Sequence, residues 1–161
     1  MSAIKPIPDG YPPLTPYLIV SDGVAAIAFY QKAFGAKERL RLPAPDSKIG
    51  HAELVIGDSV IMLADEFPEH GALSPHTIGG SPVMLHLYIA DVDNVVAAVV
   101  AAGGTLTRPV QDAFYGDRVA RITDPFGHSW HIATHIEDVP PDEMERRAKA
   151  WTAGPSGGQA A

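Results

Sequence analysis

The sequence predicts an α+β fold made of two βαβββ modules, and three observations carry that expectation. First, one order of elements occurs twice. Val20-Ser21-Asp22 answers Ile89-Ala90-Asp91, Phe34-Gly35-Ala36 answers Ala102-Gly103-Gly104, and Gly57-Asp58-Ser59 loosely answers Gly127-His128-Ser129. Second, a stretch rich in proline and glycine, residues 65–82, separates the two copies. Third, a single strand–helix–three-strand unit leaves one face of its sheet uncovered, so two units must combine to bury a core.

Each element has its own signal. Residues 1–13 contain Pro6, Pro8, Pro12 and Pro13 and read as an extended arm. The first module covers 14–64. Leu14 to Val20 reads as a strand, Ser21-Asp22 as a helix cap, and Val24 to Phe34 as a helix stopped by Gly35. Ala36 to Leu42 is a strand, and Ile49 to Ile56 with Ser59 to Ala64 form a hairpin around Gly57-Asp58. Residues 65–82 are expected to be a structureless linker.

The second module covers 83–134. Val83 to Ile89 is a strand, and Asp91 or Asp93 caps a helix that Gly103-Gly104 ends. Thr105 to Val110 is a strand, and Val119 to Thr123 with Ser129 to Thr134 form a hairpin across Asp124-Pro125-Phe126-Gly127. Residues 135–151 carry a C-terminal helix with Pro140-Pro141 at its start, and 152–161 are expected to be a disordered tail.

Composition limits the function classes. The chain has 161 residues, 46% of them apolar, which suits one compact domain or two very small modules sharing one sheet system. Its formal charge is −7, so it lacks the broad basic surface that binding to nucleic-acid phosphates requires. It has no cysteine, which removes disulfides, thiolate nucleophiles and zinc–sulfur sites. Met1 to Gly10 does not read as a secretory leader, and no apolar run is long enough to span a membrane. A cytoplasmic protein without nucleic-acid or membrane partners is the expectation.

The element order is joined by a series of short motifs. These are Phe29-Tyr30-Gln31-Lys32-Ala33-Phe34-Gly35-Ala36, His51-Ala52-Glu53, Ile56-Gly57-Asp58-Ser59, Phe114-Tyr115-Gly116-Asp117-Arg118, Asp124-Pro125-Phe126-Gly127-His128 and Ala133-Thr134-His135-Ile136-Glu137-Asp138. Together, over residues 12–148, they resemble the PhnB-like branch of the glyoxalase/bleomycin-resistance/dioxygenase group, the vicinal-oxygen-chelate superfamily. The resemblance implies cupped mixed sheets around a small-molecule site, and a homodimer in which modules of two chains can complete each cavity. It also implies four metal-ligand positions, which fall here on Thr15, Met62 (or Ile61), Met84 and His131. Only His131 is a customary ligand for Zn²⁺, Fe²⁺ or Mn²⁺, because thioethers suit softer ions and a neutral hydroxyl binds weakly. No cofactor is therefore expected at the usual position. A divalent metal would need a rearranged set such as His51, Glu53, His86 and His131.

Strand alternation sorts the candidate site residues. Val83, Leu85, Leu87 and Ile89 form a helix-packing face, so Met84, His86 and Tyr88 point into the cup. Thr15 and Tyr17 likewise oppose Leu14, Leu18 and Val20, and His131 shares a face with Ser129 and Ala133. His51 and Glu53 alternate on one strand and share a face. With His131 they form the candidate acid–base group; a structural His–Glu hydrogen bond is the plainer reading. Tyr17, Met84, His86, Tyr88 and Tyr115 are the candidate substrate-binding set, and Arg118 the candidate charge anchor for an oxyanion. Arg118 could equally pair with Asp112 or Asp117, and Arg108 is expected outside the site. His70 and His76 are expected in solvent. Two functions remain open: an enzyme of lyase or isomerase type acting on a small oxygenated or anionic metabolite, and a metal-free protein that sequesters a drug or metabolite.

Overall fold

The computed structural model describes residues 4–153. Its elements are β1 (Tyr17–Val20), α1 (Gly23–Phe34), β2 (Lys37–Pro43), β3 (Ile49–Ile56), β4 (Ser59–Asp65), α2 (Pro75–Ile78), β5 (Met84–Tyr88), α3 (Val92–Ala101), β6 (Thr105–Asp112), β7 (Asp117–Thr123), β8 (Ser129–His135) and α4 (Pro141–Ala153). The strands make two four-stranded sheets with equivalent orders, β1-β4-β3-β2 and β5-β8-β7-β6. In each, the strand before the helix pairs in parallel with the last strand, and the other pairs are antiparallel. The expected α+β architecture of two βαβββ modules is the observed one.

The two main helices begin where their caps dictate. Asp22 accepts a hydrogen bond from the Ala25 N–H at 2.9 Å, and Asp91, rather than Asp93, accepts from Asn94 N–H at 3.0 Å. Gly35 ends α1 in the left-handed region at φ 65°. At the start of α1, an added Cβ on Gly23 would lie 2.7 Å from the Ile49 side chain. This approach lets the buried Asp65 carboxylate take both the Gly23 and Ile49 N–H groups, at 2.9 and 2.6 Å, joining helix to sheet.

Several boundaries differ from the sequence reading. β1 starts at Tyr17 instead of Leu14, because three of the five preceding residues are proline and Pro16 contributes only its carbonyl, to the Met62 N–H. β7 starts two residues early, at Asp117. Residues 65–82 are structured: a 3₁₀ turn over Pro68–His70, a bridge between Phe67 and Ala72, and the short α2. Glu66 accepts the Ser74 N–H at 2.6 Å, and His76, exposed as expected, also places its Nε2 2.8 Å from the Pro125 carbonyl. At the C-terminal end, Thr152 and Ala153 belong to α4; the remainder of the expected tail, 154–161, and residues 1–3 of the arm lie outside the described residues.

The helix-side faces of both sheets meet in one core. Leu18, Leu54 and Leu63 from the first module and Ala120, Ile122 and Ile132 from the second belong to a single buried cluster, with α1 packed on α3. Its centre is polar. The Asp124 carboxylate, only 3% exposed, accepts from Tyr30 Oη at 2.7 Å and Trp130 Nε1 at 2.8 Å, and from the N–H groups of Phe126 and His128. Tyr30 is on α1 and Trp130 on β8, so one side chain ties the modules together. Burial, with the adjacent Asp124 charge, pushes the Tyr30 pKa well up, and the phenol stays a donor. Asp124→Ala is expected to cost at least about 3 kcal/mol by stranding these donors, and Tyr30→Phe about 1.5 kcal/mol. Urea unfolding of both variants measures this; equal stability to the parent would remove Asp124 from its central position.

Candidate functional site

Since the helix-side faces share one core, the opposite faces of the two sheets are turned away from it. Each is an open cup within a single chain. Tyr17 on the first is 48% exposed and Tyr88 on the second 59%. The candidate residues therefore divide. Tyr17, His51, Glu53 and Met62 lie on the first cup, and Met84, His86, Tyr88 and His131 on the second. Tyr17 therefore does not share a wall with Tyr88 and Met84 within one chain. The rearranged metal set also fails there, since among the described residues no three His, Asp or Glu side chains converge on a possible ion position. At the superfamily's usual position, the Thr15 hydroxyl and the two thioethers are poor partners for a hard divalent ion.

The second cup carries the more unusual chemistry. Its strand register places one residue from each strand in a single rung: Arg108 opposite Arg121, Arg121 opposite His131, and His131 opposite His86. Four side chains able to carry positive charge thus lie side by side across the sheet. Arg121 Nε and Nη2 are buried and, among the described residues, have no hydrogen-bond partner. An unpaired buried guanidinium is costly unless an acceptor reaches it. His131 Nδ1 and His86 Nδ1 are 2.9 Å apart, so only one of the two nitrogens can hold a proton. Burial lowers the His131 pKa, and the nearby His86, Arg121 and Arg108 lower it further, with Asp117 opposing.

A cavity of about 340 Å³ opens over three members of this rung, His86, Arg108 and His131, with the Asp112 carboxylate also in its lining and Arg121 outside it. Met84, His86, Arg108 and His131 form its floor, and Phe114, Tyr115 and Trp151 part of its wall. Trp151 comes from α4, which the Arg147 guanidinium holds in place through the Glu137 carboxylate at 2.7 and 2.8 Å. At the cup's end, the buried Asp117 takes the Tyr88 hydroxyl and His135 Nδ1, both at 2.7 Å. That raises the His135 pKa, with Asp138 adding to the effect.

Arg118 is engaged on the helix side of its sheet. Its β7 neighbours Ala120 and Ile122 face the helices, and Arg118 shares their side. It grips Asp93 of α3 at 2.7 and 3.0 Å and Asp112 at 2.7 Å. Arg121, three residues on, takes the cup side. The alternation of Ala120 and Ile122 carried this signal in the sequence. For Arg108 the signal was hidden by register shifts in β6 on both sides of it.

In the first cup, Glu53 is 3% exposed and accepts the Tyr11 hydroxyl on both oxygens, at 2.9 and 2.8 Å. His51 Nε2 lies 3.2 Å from Glu53, and His51 Nδ1 lies 2.9 Å from the Tyr17 hydroxyl. Burial pushes the Glu53 pKa up, but the Tyr11 and His51 hydrogen bonds with the Arg39 charge outweigh it and leave the carboxyl below its usual range.

The profile of the Glyoxalase/Bleomycin resistance protein/Dioxygenase superfamily matches residues 13–132, and the chain belongs to that superfamily. An uncharacterized protein of Mycobacterium bovis is 39% identical over 137 residues, covering 83% of this chain and 90% of its own. A lactoylglutathione lyase of Arabidopsis thaliana is 28% identical over 116 residues, 70% of this chain but only 40% of that protein. The crystal structure of TioX from Micromonospora is 27% identical with a TM-score of 0.59, over 76% of this chain and 98% of that one.

Arg118→Ala is expected to lower thermal stability, less so at high salt where exposed ion pairs are screened, and to leave ligand affinity at the second cup unchanged. Paired melting curves and calorimetric titrations separate the two effects; a loss of affinity in a fully folded variant would return Arg118 to the site.

Proposed function

We propose that this chain is a PhnB-like, cytoplasmic member of the superfamily that binds a small oxygenated anion in its second cup without a metal at the superfamily's usual position. The carrying observation is the buried, unpaired Arg121 within the Arg108–Arg121–His131–His86 rung. A carboxylate or phosphonate would supply the missing acceptors and offset the mutual repulsion of the two arginines. The aromatic wall of Phe114, Tyr115 and Trp151 suits a ligand with a flat apolar body. Benzoate and phenylphosphonate are suitable first probes by thermal shift. Arg121→Gln should weaken calorimetric binding about ten- to a hundredfold, the worth of one charge-assisted hydrogen bond. Unchanged affinity in a folded variant would sink the assignment.

The sign of the pH dependence follows from His131. Its pKa is lowered in the free cup, and a bound anion favours the imidazolium, so binding takes up a proton. Affinity should therefore rise as pH falls from about 8 to about 6, the range in which imidazoles titrate. His131→Gln should flatten that slope.

A catalytic reading has one specific support: an imidazole kept neutral beside an oxyanion site can accept a proton from a bound molecule. It needs no change to the placement above. Turnover lost in His131→Gln with ligand affinity retained would favour it over sequestration.

Both cups are open in one chain and carry exposed aromatic and aliphatic side chains, including Tyr17, Leu42 and Tyr88. This supports a homodimer in which a second copy covers them. Sedimentation at about ten micromolar, an order-of-magnitude working concentration, should give twice the chain mass. A monomer there counts against it.

A further inference from the structure

The C-terminal segment folds back over one end of the second cup and is tied there lightly. The superfamily match ends at residue 132, before α4 begins at Pro141. Up to Glu137 the chain is fixed. His135 is held by Asp117, and the Gly116 carbonyl accepts the N–H groups of Ile136 and Glu137 at 2.9 and 3.0 Å. Gly116 has φ 95°, and an added Cβ there would run into the Glu137 carbonyl, so this clasp needs glycine. Beyond Glu137, among the described residues, the backbone makes no hydrogen bond to either sheet. Asp138, Val139 and Pro140 form an irregular connection to the helix.

α4 is a two-sided helix without a core of its own. Glu143, Met144, Arg147, Ala148 and Trp151 are half-buried on its inner side, at helical spacing, and its other residues are exposed. Among the described residues, its side-chain hydrogen bonds to the rest of the chain all come from Arg147. That guanidinium takes the Glu137 carboxylate at 2.7 and 2.8 Å and the Phe114 carbonyl at 3.3 Å. Glu143 of the same helix accepts from Arg147 Nε at 2.7 Å and aims it. One turn on, the Trp151 ring lies 5.7 Å from that of Phe114, centroid to centroid. A half-exposed ion pair is a weak tie, and an element that buries so little opens at low cost. Yet this lightly held element supplies part of the aromatic wall of the second cup.

We propose that α4 is a gate on the second cup, with Asp138–Pro140 as hinge, the Arg147–Glu137 pair as latch and Trp151 as the surface that closes on a bound ligand. This rests on the anion-binding reading above. Closure brings the Trp151 ring onto the apolar body of the anion and excludes water, which strengthens the attraction between the anion and Arg108. The gate does not compete with a second copy for the cup. α4 stands at the β6–β7 turn, and β5, with the exposed Tyr88, is the opposite edge of that sheet.

Because the chain has no cysteine, Ala148→Cys gives a single thiol on the inner side of α4 and Ala150→Cys one on the outer side. Their rates with a chromogenic disulfide reagent, each normalised to the same variant in urea, read the opening of the helix. Ala148→Cys should react more slowly than Ala150→Cys. Adding Arg147→Gln or Glu137→Gln to Ala148→Cys should speed the reaction about threefold, the worth of an exposed ion pair. Saturating benzoate should slow it at least about threefold, because a ligand resting on Trp151 favours the closed state. Trp151→Ala should abolish that protection. Equal rates for the two thiol variants overturn the gate, as does a rate that ignores the loss of the latch. Benzoate that binds by calorimetry yet leaves the reaction unchanged also overturns it, as does protection that survives Trp151→Ala. No benzoate binding to the parent, with the latch effect intact, counts against the anion reading and for the gate. Failure of both latch variants to fold overturns the proposal, since a latch on a hinged helix carries no core.

Discussion

The Asp124 carboxylate is the point on which the architecture turns. It accepts four hydrogen bonds at the junction of α1, β8 and the β7–β8 turn, and it is almost fully buried. Each bond is modest, but leaving any donor unmet in this core is expensive. The arrangement forces Tyr30 of one module against Trp130 of the other, with ring centroids 5.6 Å apart. The helix-side faces are thereby committed to one shared core. Everything on the reverse faces follows: the cups point outward, and neither can close on the other within a chain.

That geometry keeps apart two chemistries carried by equivalent strands of the two modules. Glu53 and Arg121 occupy matching rungs of equivalent strands, β3 and β7. Glu53 is satisfied by Tyr11 and His51 and lies beneath the arm, whereas two Arg121 nitrogens lack partners among the described residues.

The fold was largely legible because its signals are local. Capping aspartates, the Gly35 stop and the Gly57-Asp58 turn each act within a few residues, and the repeat multiplied them. The faces of Met84, His86 and His131 were legible for the same reason, since strand alternation needs no partner. What escaped notice depends on contacts between distant segments. Arg108 joins the rung only through the register of β6 on β7, and Tyr11 meets Glu53 across 42 residues. Arg118 was misplaced through a strand boundary: with Val119 as the first residue, it read as a loop residue free to turn inward. Residues 65–82 were read as unstructured because proline and glycine dominate them. Those same residues build the turn and the short helix, and Pro75 sits where a Cβ on Gly127 would lie 2.8 Å away.

The cationic rung lies within a chain whose formal charge is −7. An anion approaching from a distance meets a repulsive field before it reaches the arginines, and only inside about one Debye length, roughly 8 Å in physiological salt, do they dominate. The kinetic consequence is unusual for a charge-recognition site. For an anion bound as proposed, moderate salt would screen the outer repulsion more than the buried attraction, so its capture would accelerate as ionic strength rises. The net charge of −7 would then disfavour highly charged anions at a distance relative to those of small charge.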